Sequence, residues 1–125
     1  MPPLLLVMTG GALGAGLRYL FGTAATRAMG PGFPWGTWGV NLIGGLAMGL
    51  LVGLLARTSD GGEDLRLLLA VGVLGGFTTF SAFSLDAYLM IVRGEIALAG
   101  AYAISSVAGS IMMLWAGIAV ARSLA

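Results

Sequence analysis

Apolar residues run through this chain in four long stretches, about 4–28, 35–56, 65–92 and 96–121, with only short connections between them. Each stretch reaches the roughly 20 residues that a helix needs to cross the hydrocarbon core of a bilayer. Backbone polar groups find no water in that core, and a helix satisfies them within itself. Runs of this length select the helix. The reading is therefore an all-α membrane protein with four transmembrane helices, forming a single domain over residues 1–125. A balance of 58% hydrophobic against 9% charged residues agrees, since no soluble domain of this size stays in water with it. No basic region precedes the first run at Leu4, which is also too long for a signal peptide, so it is read as a retained helix.

The boundaries follow from helix breakers and polar clusters. Gly30-Pro31-Gly32-Phe33-Pro34 cannot continue the first helix. Trp35 and Trp38 open the second at an expected interfacial belt. A polar loop, 57–64, precedes the third, and Arg93-Gly94-Glu95 turns the chain into the fourth. The third run is longer than a plain span and contains Gly75-Gly76-Phe77-Thr78-Thr79, which predicts an interruption of that helix near its middle.

Charge narrows the function. The chain has no lysine, and its six arginines are scattered, which argues against nucleic acid and against a polybasic lipid-binding segment. Four spans place Arg57, Arg66 and Arg122 on one side and Arg27 and Arg93 on the other, so the positive-inside bias nearly vanishes. Either a weak bias still settles one orientation, or the chain inserts both ways and pairs antiparallel. Cysteine and histidine are absent, which removes disulfides, thiol and imidazole catalysis and the usual zinc or copper sites. No paired carboxylates fall inside the bundle, and an enzyme is not expected.

Gly10, Gly14, Arg18 and Gly22 recur every fourth residue, as do Asn41, Gly45, Gly49 and Gly53, and their glycines form ridges that let helices approach closely in lipid. Packing explains these glycines, but not the polar residue each ridge carries, Arg18 on the first and Asn41 on the second. An arginine near a helix centre costs about 2.5 to 3.5 kcal/mol on insertion scales. Arg18 either snorkels to the nearer interface or serves an anion vestibule. Asn41 brings two amide N–H donors into an apolar span, for a bond between helices or for a ligand. Tyr102, Ser106 and Ser110 repeat at i, i+4 and i+8, so their hydroxyls stack on one face of the fourth helix, unless the serines bond back to their own carbonyls. In the third span an opened helix would free carbonyls for a cation and N–H groups for an anion. Phe80 and Phe83 share a face there, and their positively polarised ring edges can approach an anion; an aromatic stripe also packs.

Three motifs then carry a resemblance. Gly10-Gly11-Ala12-Leu13-Gly14-Ala15-Gly16-Leu17-Arg18-Tyr19, Gly36-Thr37-Trp38-Gly39-Val40-Asn41-Leu42-Ile43-Gly44 and Gly75-Gly76-Phe77-Thr78-Thr79-Phe80-Ser81-Ala82-Phe83 resemble, in this order, the signatures of the CrcB/Fluc fluoride channels. The resemblance covers the whole chain. It implies a fluoride-selective channel in the bacterial inner (plasma) membrane that lets fluoride leave the cytoplasm passively. It further implies an antiparallel, dual-topology homodimer with two pores and a central structural sodium ion, Na+. On this resemblance Phe80 and Phe83 line the fluoride path with the Asn41 amide beside them. Ser106 and Ser110 supply a hydroxyl track with Tyr102 near its end, and Thr79 and Ser81 belong to the same pathway. The backbone carbonyls of Gly75 and Thr78, doubled by the symmetry mate, hold the sodium, and Arg18 lends positive potential at a pore mouth. Ala82 stands where some relatives carry a hydroxyl, which thins the polar track by one rung.

Two other readings compete. A small four-helix proton-coupled multidrug exporter shares the size and the dual topology, but such exporters depend on an acidic residue deep in the first span, which here has none. A non-conducting membrane assembly subunit would account for the glycines and leave Asn41, Ser106 and Ser110 without a cause.

Overall fold

The computed structural model describes residues 1–57 and 62–124. It contains four helices long and apolar enough to span a membrane: α1 (Pro3–Met29), α2 (Trp35–Leu55), α3 (Gly62–Val92) and α4 (Ile96–Ser123). No strand occurs among the described residues. Proline at the first position of α1 is favourable, because its missing N–H would find no partner there in any case. Gly30, at φ 83°, ends that helix and donates its N–H to the Thr26 carbonyl. The polar loop expected over 57–64 lies partly outside the described residues, and its last members, Gly62 to Asp64, already form the first turn of α3. Glu63 and Asp64 suit the positive end of the helix dipole, and Arg66 grips Glu63 through two bonds of 3.2 and 3.0 Å.

Helices pair by backbone approach. α1 packs mainly on α3, and α2 mainly on α4. A Cβ at Gly14 would fall on the Val73 carbonyl oxygen, and one at Gly49 on that of Leu114. The glycine ridge of α1 is divided between neighbours. Gly10 and Gly14 meet α3, whereas Gly22 lies against Gly36 of α2.

Two departures from α geometry lie within α3. From Arg66 to Leu74 the turns widen to π-helical, and Gly75 donates to Ala70, five residues back. Wide turns of this kind are uncommon and frequently adjoin functional sites. Helical geometry then lapses over Thr78, Thr79 and Phe80, with Thr78 extended at φ −89° and ψ 158°, and resumes at Ser81.

The chain buries little of itself. Only 11 to 22% of each span's most apolar window is buried, so most of the apolar surface is left to meet lipid or another chain. Leu13, Leu17, Ile104, Met112 and Trp115 all face outward. The small interior cluster is Met90, Ala99 and Tyr102, with Phe33, Trp38 and Phe83 packed against it. Trp38, expected at an interfacial belt, turns its indole N–H inward to the Ser105 hydroxyl at 3.0 Å.

Candidate functional site

Unpaired backbone at membrane depth needs partners, and the lapse in α3 finds them in side chains from three helices. Asn41 of α2 faces Thr79 like a second strand: its Nδ2 donates to the Thr79 carbonyl at 3.0 Å, and its Oδ1 accepts the Thr79 N–H at 2.8 Å. Arg18 of α1 donates its Nε–H to the Gly76 carbonyl at 3.1 Å, a cation on the C-terminal end of the helical stretch that closes at Phe77. The Thr78 hydroxyl returns to Leu74, and the Thr79 hydroxyl accepts the N–H of Ala82. In a continuous helix the Thr79 N–H would bond the Gly75 carbonyl. Its turn toward Asn41 takes that donor away.

Two cavities meet here. The larger, about 770 Å³, is a vestibule whose wall includes Arg18, Arg27, Arg93 and Asp86. Arg18 is half-buried and borders this cavity. The smaller, about 440 Å³, is a groove that brings together Asn41, Gly75, Thr78, Phe80, Phe83, Ser106 and Ser110. Thr79 borders both.

Within the groove the hydroxyls differ. Ser110 donates to the Ser106 carbonyl of its own helix. The Ser106 hydroxyl, in a residue 5% exposed, has no hydrogen-bond partner among the described residues. A buried hydroxyl left so is costly unless a ligand or water serves it. The Phe80 and Phe83 rings lie 5.4 Å apart, and Phe80 is 75% exposed, facing out of the chain. Tyr102 stands behind this wall, fully buried, and its hydroxyl donates to Asp86 at 3.1 Å. Ser81 lies on the exposed side, its hydroxyl 3.4 Å from that of Thr79.

Asp86 is a residue that sequence reasoning does not single out as part of the site. The structure puts it in the vestibule wall, bonded to Tyr102. Its spacing three residues beyond Phe83 was the available signal, because that places both on one helical face.

Residues 5–118 match the profile of the family described as CrcB-like protein, Camphor Resistance (CrcB). The chain belongs to that family. Similar proteins match end to end. One from a Chelativorans species is 57% identical over 121 residues, 97% of each chain. Another, from Sphingopyxis alaskensis, is 53% identical over 118 residues, 94% of each chain. A third, from Phenylobacterium zucineum, is 53% identical over 123 residues, covering 98% of this chain and 97% of its own. All three bear the name fluoride-specific ion channel FluC. The four apolar spans are those of a multi-pass membrane protein.

Proposed function

We propose that this chain is a fluoride-specific ion channel of the inner membrane and not an enzyme. The observation that carries the reading is its near full-length similarity to proteins named as such channels. The chemistry of the groove agrees. Fluoride is small and strongly hydrated, so a pore has to exchange its water for several donors without holding it too tightly to leave. The neutral Asn41 amide, the Ser106 hydroxyl and the edges of Phe80 and Phe83 are donors of that strength. A charge directly in the groove would bind too strongly. Arg18, Arg27 and Arg93 instead line the vestibule, where they raise the local anion concentration, and Thr79, bordering both cavities, is the handover point. Thr79, Ser81, Ser110 and Tyr102 support the path as polar neighbours of those donors.

The working unit we propose is an antiparallel homodimer of chains inserted in both orientations, with α3 interrupted at Thr78–Phe80 and a pore on each side. Three features support it: the near-even split of arginines, the low burial of every span, and a pore-lining Phe80 whose ring faces out of its own chain. The carbonyls of Gly75 and Thr78 suit a sodium ion, a hard cation that takes oxygen ligands. Gly75 lies on the exposed side and its carbonyl lacks its helical donor. Two chains would double the ligand set, and the ion would tie the two breaks together.

A growth assay tests this reading. Expressed in a bacterium stripped of its own fluoride export, the chain is expected to restore growth on fluoride-containing medium. Growth no better than with an empty vector, despite membrane-localised protein, would contradict it.

A further inference from the structure

An unbroken chain of ring contacts joins the α1–α2 connection to the groove. Trp35 lies 4.6 Å from Phe33, Phe33 5.3 Å from Tyr102, Tyr102 5.2 Å from Phe83, and Phe83 5.4 Å from Phe80. Phe33 lies on the α1–α2 connection, yet its position is rigidly set. Pro34, at φ −78° and ψ 67°, makes an inverse γ-turn closed by a 2.8 Å bond from the Trp35 N–H to the Phe33 carbonyl. Its carbonyl then accepts the Trp38 N–H at 3.0 Å, fixing the turn to the first turn of α2. The ring locks one backbone angle and the two bonds hold the rest, so Phe33 is aimed inward and not free to swing. There it meets Tyr102 edge-on, with the ring planes at 88°. Tyr102 is therefore flanked by Phe33 and Phe83 while its hydroxyl reaches Asp86. Phe33 also borders the vestibule beside Asp86 and Arg93.

We propose that Phe33 is a positioning residue for conduction: wedged by its γ-turn, it holds Tyr102 against Phe83, with the hydroxyl on Asp86, and so fixes the wall between vestibule and groove. The inference rests on the fluoride-channel reading. Without the wedge the Tyr102 ring gains freedom, the Phe83 edge loses its backing, and the fraction of time in which the path is correctly walled falls. An aromatic pair of this kind shifts such a population roughly 2- to 10-fold.

Sparse reconstitution of the full-length protein, at less than one channel per liposome, separates positioning from packing. The fraction of liposomes that release fluoride counts working channels, and the speed of release measures conduction per channel. Phe33→Ala is expected to leave the fraction unchanged and slow release about 2- to 10-fold. Phe33→Tyr, which keeps the ring, is expected to keep the speed. Tyr102→Phe keeps both ring contacts and removes the bond to Asp86, and adding Phe33→Ala to it is expected to slow release less than Phe33→Ala does alone. Should Phe33→Ala fail to fold, Pro34→Ala leaves every ring in place and loosens only the turn, and slower release per channel is again expected. Unchanged release speed, a lower fraction at unchanged speed, or independent multiplying losses in the double variant would each overturn the proposal. Absence of fluoride release from the wild-type protein would instead overturn the channel reading beneath it.

Discussion

At residue scale the amide of Asn41 serves the Thr79 backbone and, in the proposed channel, has a second duty toward fluoride. Its Oδ1 and one Nδ2 hydrogen bind the backbone of Thr79, and its second Nδ2 hydrogen makes no hydrogen bond among the described residues. Asn41→Asp removes both donors, strands the Thr79 carbonyl and brings a negative charge to the proposed anion path. An unsatisfied buried carbonyl alone costs about 1 to 3 kcal/mol, so fluoride release from reconstituted protein is expected to fall at least about tenfold; wild-type release would show that Asn41 serves neither duty. Phe80→Ile tests the neighbouring donor. It keeps apolar bulk and loses the ring edge, so release is expected to drop while the protein still elutes as the wild-type assembly. The sequence made Asn41 visible as a polar residue without an evident partner, and the choice between a helix contact and a ligand stayed open. The structure supplies the contact, and leaves a donor over. Arg18 was equally visible, but its bond to Gly76 joins residues 58 positions apart, and no local spacing encodes that. Ser106 and Ser110 look alike in sequence, yet one hydroxyl is bonded back to its helix and the other is not.

At the scale of elements, glycine sets which helices touch. Gly14 and Gly49 sit where a methyl would strike a carbonyl oxygen of the facing helix, whereas a Cβ at Gly11 meets nothing within 4 Å. Overpacking of a tight contact costs about 1 to 3 kcal/mol. Gly14→Ala and Gly49→Ala are expected to lower the unfolding temperature in detergent, and Gly11→Ala to leave it within error. Equal effects at all three positions would show that the glycine ridges do not set the pairing. Hydropathy revealed the four spans because lipid imposes length and apolarity on every helix alike. It did not reveal the π-helical stretch of Arg66–Leu74, whose residues read as any apolar helix. Within it Gly72 packs closely against Gly10 of the facing helix, a contact between two helices. The inward path of Phe33 was hidden too, since Gly30 to Pro34 announce only that a helix ends.

At the scale of the whole molecule, one chain leaves most of its apolar surface uncovered. Its groove opens sideways past an exposed Phe80, and none of its spans is more than 22% buried where it is most apolar. If chains insert both ways and pair antiparallel, a cysteine label at Ser123, the last residue of α4, is expected to react from both faces of the membrane in one population. Labelling from a single face would remove the dual-topology dimer and leave the family relation untouched. The proposed channel has one defining property, passive release of fluoride through a path of neutral donors behind a cationic vestibule. Purified protein in liposomes loaded with both fluoride and chloride tests it in a single recording. The prediction is rapid fluoride efflux with no driving proton gradient and chloride retained; fluoride held as tightly as in protein-free liposomes, or chloride leaving at the same rate, would contradict it.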